Sequence, residues 1–226
     1  MQTNTNTYIN EKQEENCHSS VYQTVQLAKV RSAFYLKLMV VTILLNLLFL
    51  ISTFGQITIK NALITNTASI TINGSITSET GTVIQNNGTI SVGGDFTNNS
   101  SATLFGTSQG TVDLTGSTQN SNGSFPTVFH NLNINNSNIT LNNDITIDNT
   151  GTLNVGNGKL DLNSNILTIN NNATNAITSS AGYIVSEASD NSAQVKWKMD
   201  FTAGSHVVPF GNAAGIKIPL NFDLVN

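Results

Sequence analysis

The sequence predicts an all-β protein: a right-handed, three-sided parallel β-helix of about 21 residues per coil, followed by a further β unit. Three observations carry this. Helix-period patterning is absent after residue 56, and triplets with apolar ends and a polar middle recur in its place. The triplets fall into interleaved columns that share one period. Asn, Gly, Thr and Ser fill most of the remainder, and only 10% of the 226 residues are charged.

One series of strand starts runs through Ile70, Ile90, Val112, Leu132 and Leu153, in steps of 20, 22, 20 and 21. Another runs through Val83, Leu104, Phe125, Ile145 and Leu167, in steps of 21, 21, 20 and 22. A third contains Ile76 and Phe96, then a gap, then Ile139 and Leu160. Three short strands per repeat make one solenoid coil. Side chains alternate along a strand, so each triplet sends its apolar ends inward and its middle residue outward. The outward middles of the first series are Thr71, Ser91, Asp113, Asn133 and Asn154, with Thr146 and Thr168 outward elsewhere. A lone coil cannot bury its apolar ends, but coils stacked about 4.8 Å apart form columns of Ile, Leu and Val.

Corners need residues that tolerate left-handed backbone, which favours Gly and Asn. Asn73-Gly74, Asn87-Gly88, Gly93-Gly94, Asn157-Gly158 and Asn170-Asn171-Asn172 supply them. Stacked Asn side chains can also form amide ladders along the axis. The crossover rule makes the winding right-handed. The alternative is an antiparallel β-sandwich, because Asn-Gly is also a hairpin signal; the sustained register of the columns favours the β-helix.

The solenoid pattern spans residues 56–181. Near Ala181 it gives way to longer strands, the only Trp and two of the three prolines. Residues 182–226 therefore read as a separate β unit covering the last coil's apolar end. The sequence stops within a strand pattern, "PLNFDLVN", as a truncated β region does.

Residues 1–36 form a polar N-terminal arm, and residues 37–55 read as a signal peptide or signal anchor. Lys37 precedes the apolar run "LMVVTILLNLLFLI", and Thr53 and Gly55 are the small residues before a cleavage point at Gln56. Uncleaved, residues 38–54 would anchor the chain in a membrane. Initiation at Met39 would discard Lys37 and the positive flank. The single cysteine, Cys17, lies in the arm. The part after Gly55 then has no disulfide framework, thiol nucleophile or thiolate zinc site.

From Gln56 onward there are five lysines, no arginine and ten acids, a net charge of −5. Nucleic-acid binding needs a concentrated basic face, and none is available. No constellation marks a catalytic, cofactor or metal site. Asp144 and Asp148, in "NDITID", share one side of a strand but lack calcium-loop spacing. No outward column gathers two acids at adjacent coils with a Lys or His, leaving general acid–base chemistry without a home. Asp113, Asp144, Asp148 and Asp161 are the acids to test against that reading. His130 and His206 each stand alone, and metal sites need converging ligands. Gly93-Gly94 has no helix to open and so cannot cradle a phosphate. The first series changes from Thr to Asp to Asn, so it is no uniform hydroxyl array for ice. Trp197, in "VKWKMD", is a core anchor rather than a sugar-stacking platform.

Thr111–Asn136, "TVDLTGSTQNSNGSFPTVFHNLNINN", resembles a recurrent unit of large secreted Bacteroidetes proteins. There an apolar strand and a Gly-Ser/Thr-Gln turn are followed by an aromatic and "NLxIN". His206–Leu220, "HVVPFGNAAGIKIPL", resembles the "V-x-P-[FV]-G" segment that follows such repeats. With the coil Leu162–Asn171, the resemblance covers most of residues 56–226. It implies display on, or release from, the cell surface by type IX secretion, although here without the C-terminal sorting domain. It carries over no catalytic residues.

The expectation is a secreted or cell-surface structural and adhesion β-solenoid that is not an enzyme and uses no cofactor. Its partners would be extracellular carbohydrate or other cell-surface proteins, reached through Asn- and Thr-rich strand faces. Membrane contact would come only through the N-terminal apolar segment. The alternative is a polysaccharide-degrading β-helix enzyme or a carbohydrate-binding module.

Overall fold

The computed structural model describes residues 29, 31, 32, 34, 35, 55–135 and 138–225. The chain divides into two compact units, residues 1–53 and 54–226. In the first, Lys29, Arg31, Ser32, Phe34 and Tyr35 are helical, and the Ser32 hydroxyl donates to the Lys29 carbonyl at 2.9 Å. Cys17 and the apolar run from Leu38 to Ile51 lie outside the described residues. No helix among the described residues is long and apolar enough to cross a membrane.

The second unit is a β-solenoid of about six turns with about 20 residues per turn. Each turn passes through three sides. Side one stacks Ile57–Ile59, Ile76–Ser78, Phe96–Asn98, Thr118–Gly123, Asn138–Leu141, Lys159–Asp161 and Tyr183–Val185. Side two stacks Leu63–Asn66 on Val83–Asn86 and, further along, Thr127–Phe129, Ile145–Ile147, Ile166–Ile169 and Gln194–Trp197. Side three stacks Ser69–Ile72, Thr89–Val92, Thr111–Leu114, Asn131–Ile134, Leu153–Asn154 and Ile177–Thr178. Every pairing within these sides is parallel, which excludes the antiparallel sandwich.

The Ile70 series lies in register on side three as read: Ile70, Ile90, Val112, Leu132 and Leu153, continued by Ile177. Val112, Leu132 and Leu153 are at most 3% exposed, and only Ile70 at the first coil is partly open to water. Burying each such side chain stabilises by about 1.5–3 kcal/mol.

Side two departs from the expected series. Ile145 and Leu167 pair, but Val83 is 41% exposed and its neighbour Ile84 points inward. Phe125 is also 41% exposed, and Thr127 takes the register position opposite Ile145. Leu104 is buried in a turn, where its carbonyl accepts from the Ile84 N–H at 2.8 Å. A detour over residues 99–110 replaces a strand of side two after Val83–Asn86; the outward turn of Val83 is already present one coil earlier in Leu63, its register partner, which is 62% exposed. Phe105, from this detour, joins Phe96 and Phe129 in a cluster with ring centroids 5.5–6.0 Å apart, filling the core where side two lacks a strand.

The gap in the third series is filled by Thr118–Gly123 on side one. This strand sends polar residues inward: Gln119 lies opposite Ile139, and Ser121 opposite Phe96 and Leu141. Gln119 is buried because its amide is satisfied. It donates to the Val92 carbonyl at 2.9 Å and to that of Gly94, and accepts from the Gly116 N–H at 2.8 Å.

The left-handed expectation holds at corners where Asn61, Gly81, Gly156 and Asn163 have positive φ, but not at the dipeptides named from the sequence. Gly74, Gly88, Gly93 and Gly94 are not among the residues with positive φ. At Gly88 a Cβ would strike the Ala68 carbonyl of the preceding coil, and at Gly151 it would strike that of His130. Close stacking, not φ, excludes a side chain there. The expected amide ladders are present. Asn66 donates to Asn86 at 2.8 Å, Asn142 to Asn122 at 2.8 Å and Asn163 to Asn142 at 3.0 Å.

The parallel ladder continues past residue 181, through Tyr183–Val185 and Gln194–Trp197. The change of pattern at Gly182 thus falls within the last turn. The distinct element is an antiparallel hairpin, Gly204–Val208 against Leu220–Leu224, extended by a bridge between Gly211 and Lys217. Phe210 bridges in parallel to Ile184, joining the hairpin to the end of side one.

Leu153→Ala should cost about 2–5 kcal/mol by leaving a cavity between Leu132 and Ile177. Gly151→Ala should cost about 1–3 kcal/mol by forcing two coils apart. Urea denaturation followed by circular dichroism measures both, and an unchanged midpoint for either would contradict the stacking described.

Candidate functional site

The outer surface of side three is the most regular feature exposed to solvent. Two columns of polar side chains run along it. One contains Ser69, Thr89, Thr111 and Asn131 in register, followed by Thr152, whose N–H donates to the Asn131 side chain at 3.1 Å. The other contains Thr71, Ser91, Asp113, Asn133, Asn154 and Thr178. Neighbours along a column are about 4.8 Å apart, and the columns are separated by two residues, roughly 6.6 Å.

Parallel pairing makes this array, because it puts like positions of successive coils side by side. Among the described residues, the hydroxyls of Thr71, Thr89, Ser91 and Thr111 have no hydrogen-bond partner in the fold. The later coils are partly self-engaged: Asn133 donates to Asp113 at 2.7 Å, and Thr152 donates its hydroxyl to Asn131 at 2.9 Å. The face thus offers ordered donors and acceptors without a dominant charge.

The four acids singled out from the sequence are separated by the fold. Asp113 lies outward on side three, and Asp161 lies outward on side one, paired with Lys159 at 3.3 Å. Asp144 and Asp148 bracket the side-two strand Ile145–Ile147. Four residues of extended chain hold them about 13 Å apart. Each does separate structural work. Asp144 accepts from the Ile166 N–H of the next coil at 2.8 Å. Asp148 accepts from the Thr150 and Gly151 N–H groups at 3.0 and 2.7 Å. Near the C-terminal end, the exposed Asp190 carboxyl is held below its ordinary value, first by the Ser192 hydroxyl and then by the Ser192 N–H.

His130 is not alone. Its Nδ1 lies 2.9 Å from Asp148 Oδ2, and the side chains are only 11% and 29% exposed. The partner sits 18 residues later, in the following coil, beyond the reach of any local motif. With Gly151 packed on the His130 carbonyl, the pair fastens a corner between two coils. No Ser, Thr or Cys side chain is bonded to the His130 ring among the described residues, so the pair lacks the nucleophile a triad requires.

His206 also has company. It is fully buried beside Trp197, centroids 5.1 Å apart and edge-on, and stacked on Phe222 at 5.5 Å. Its Nδ1 meets the Gly204 carbonyl at 3.1 Å, while Nε2 is buried without a partner. Trp197 packs against the core and donates to the Asn171 carbonyl at 2.8 Å. Among the described residues no group of three His, Cys, Asp or Glu side chains could hold a metal ion.

Comparison with protein-family models, with curated proteins and with solved structures returned no match.

If His130 and Asp148 form a structural clamp, Asp148→Ala should lower stability by about 1–3 kcal/mol, since it strands two backbone N–H groups and the imidazole. Asp148→Asn keeps an oxygen for the backbone and should lose less. Denaturation midpoints of the two variants decide the matter: equal losses would place the weight on the His130 contact rather than on the turn.

Proposed function

We propose that this chain is a non-catalytic, extracellular β-solenoid that serves as a surface spacer and adhesion segment, with side three laid against carbohydrate. The observation that carries the reading is the double column of uncommitted hydroxyls on side three, set at one spacing over several coils. Sugar hydroxyls are both donors and acceptors, and an array of Thr, Ser and Asn, broken by the single charge of Asp113, matches them at little desolvation cost. Single contacts of this kind contribute about 0.5–1.5 kcal/mol each, so binding draws on their number.

The separation of Asp113, Asp144, Asp148 and Asp161 onto different sides supports a role without turnover. The apolar segment 38–51 and the resemblance to Bacteroidetes surface repeats support export, by cleavage after residue 55 or by retention as an anchor. The rival reading, a polysaccharide-degrading β-helix, draws on one observation, the His130–Asp148 pair.

Thr89→Val with Thr111→Val keeps β-branching and removes two hydroxyls. The double variant should fold normally and weaken binding to the best neutral ligand of a glycan panel by about 1–3 kcal/mol, on the order of tenfold. The same panel, followed by reducing-end release, should show no hydrolysis. Hydrolysis abolished by Asp113→Ala, Asp144→Ala, Asp148→Ala or Asp161→Ala would establish the enzyme reading instead.

A further inference from the structure

Where the hairpin meets the last coil, a groove of about 430 Å³ opens between residues 177–182 and the hairpin arms. Its lining combines three kinds of surface. Val207, Pro209, Phe210 and Pro219 are apolar, Thr178 and Ser180 present hydroxyls, and Lys217 brings one ammonium. The volume suits one or two sugar rings, within the usual range for small-ligand sites.

The backbone around the groove is largely occupied. The N–H groups of Ser180, Ala181 and Gly182 all donate to the Gly156 carbonyl, at 3.0, 2.9 and 2.6 Å. The Pro209 carbonyl accepts from Ile184 at 2.8 Å, and the Phe210 carbonyl accepts from Ile218 at 2.7 Å. The hairpin register, carried on from Val208 opposite Leu220 to Gly211 opposite Lys217, sets Pro209 opposite Pro219, and neither has an N–H to offer. An extended peptide, which binds by adding to a backbone ladder, finds little to pair with here. What remains is side-chain chemistry: two hydroxyls and a cation above an apolar floor.

The cation is the one basic residue in the lining of the groove. Two of the other lysines are matched by carboxylates, Lys159 by Asp161 at 3.3 Å and Lys198 by Asp200 at 2.9 Å. Lys217, like Lys60 and Lys196, makes no ion pair among the described residues, so its ammonium is free to meet a ligand. Glu187 lines the neighbouring depression and accepts from the Ala213 N–H at 3.0 Å.

The geometry points to a binding site for the carboxylate-bearing ring of an acidic polysaccharide, a uronic acid, in this groove. Lys217 takes the carboxylate, Thr178 and Ser180 meet ring hydroxyls, and Phe210 with the two prolines covers a C–H face of the ring. A neutral sugar would leave the ammonium unmatched. This site meets side three only at its last strand, through Thr178, and goes beyond the adhesive face proposed above.

The test is isothermal titration of the full chain with oligogalacturonate and with oligomannuronate, beside the same oligosaccharides after reduction of their carboxyls to alcohols. At least one uronate should bind, and carboxyl reduction or Lys217→Met should each weaken it tenfold or more. Ser180→Ala should weaken it several-fold. Added salt should also weaken it, as a charge-led contact requires. The Thr89→Val, Thr111→Val variant should bind the uronate unchanged, so failure of the side-three reading and failure of this one are distinguishable. The inference is overturned if neither uronate binds, if the reduced form binds equally, or if Lys217→Met is without effect. It is also overturned if a short peptide bearing a free C-terminal carboxylate binds in place of both uronates.

Discussion

In a stack of parallel coils, each strand's N–H and C=O groups are answered one turn away and never within their own turn. Every coil must therefore return the same backbone to the same height, about 4.8 Å above the last. Most of what is distinctive in this sequence follows from that demand. Asn side chains add a second ladder beside the backbone one, from Asn66 to Asn86 and through Asn122, Asn142 and Asn163. Where corners touch, a Cβ cannot be fitted, and Gly88 and Gly151 answer a steric rather than a conformational need. The low charge has the same origin, since a charged residue repeated down a column would face its own kind at 4.8 Å.

The ladder must end, and an uncovered end is a template for further pairing. Side one closes through Phe210, which pairs with Ile184 and then hands over to an antiparallel arm. That arm carries Pro219 opposite Pro209, so two N–H donors are missing at the point where another strand could add. Inside the cap, Trp197, His206 and Phe222 stack against the last coil. The cap thus sets aromatic rings and paired prolines where the parallel ladder ends.

This division explains which parts of the fold were legible in the sequence. The Ile70 series was readable to the residue, because from Ile70 to Leu153 side three keeps apolar ends, polar middles and steps of 20 to 22. Side two was not, because the detour over residues 99–110 interrupts it and its inward positions are Ile84 and Thr127 rather than Val83 and Phe125. Thr118–Gly123 escaped notice because a strand with Gln119 and Ser121 inward has no apolar signature; its burial depends on carbonyls from another coil. The site was less legible than the fold. The outward residues of side three could be named in advance, yet the His130–Asp148 contact and the Lys217 groove join residues from separate coils or elements. The register that unites them is a property of the stack, and no short motif carries it.

Repetition and irregularity then suit different kinds of recognition. A face such as side three gains affinity by multiplying weak, similar contacts, and it tolerates sliding because each coil resembles the next. Tolerance of that kind limits discrimination, since a ligand shifted by one coil loses only its terminal contacts. Discrimination needs a group that is not repeated and is costly to leave unmatched. In this molecule the groups that do not repeat gather at the cap, where the coil pattern stops and where the exposed Lys217 is the one basic residue lining the groove. A repeat that extends reach and a single end that selects can be altered independently, because lengthening the stack adds coils to the face and leaves the groove as it is.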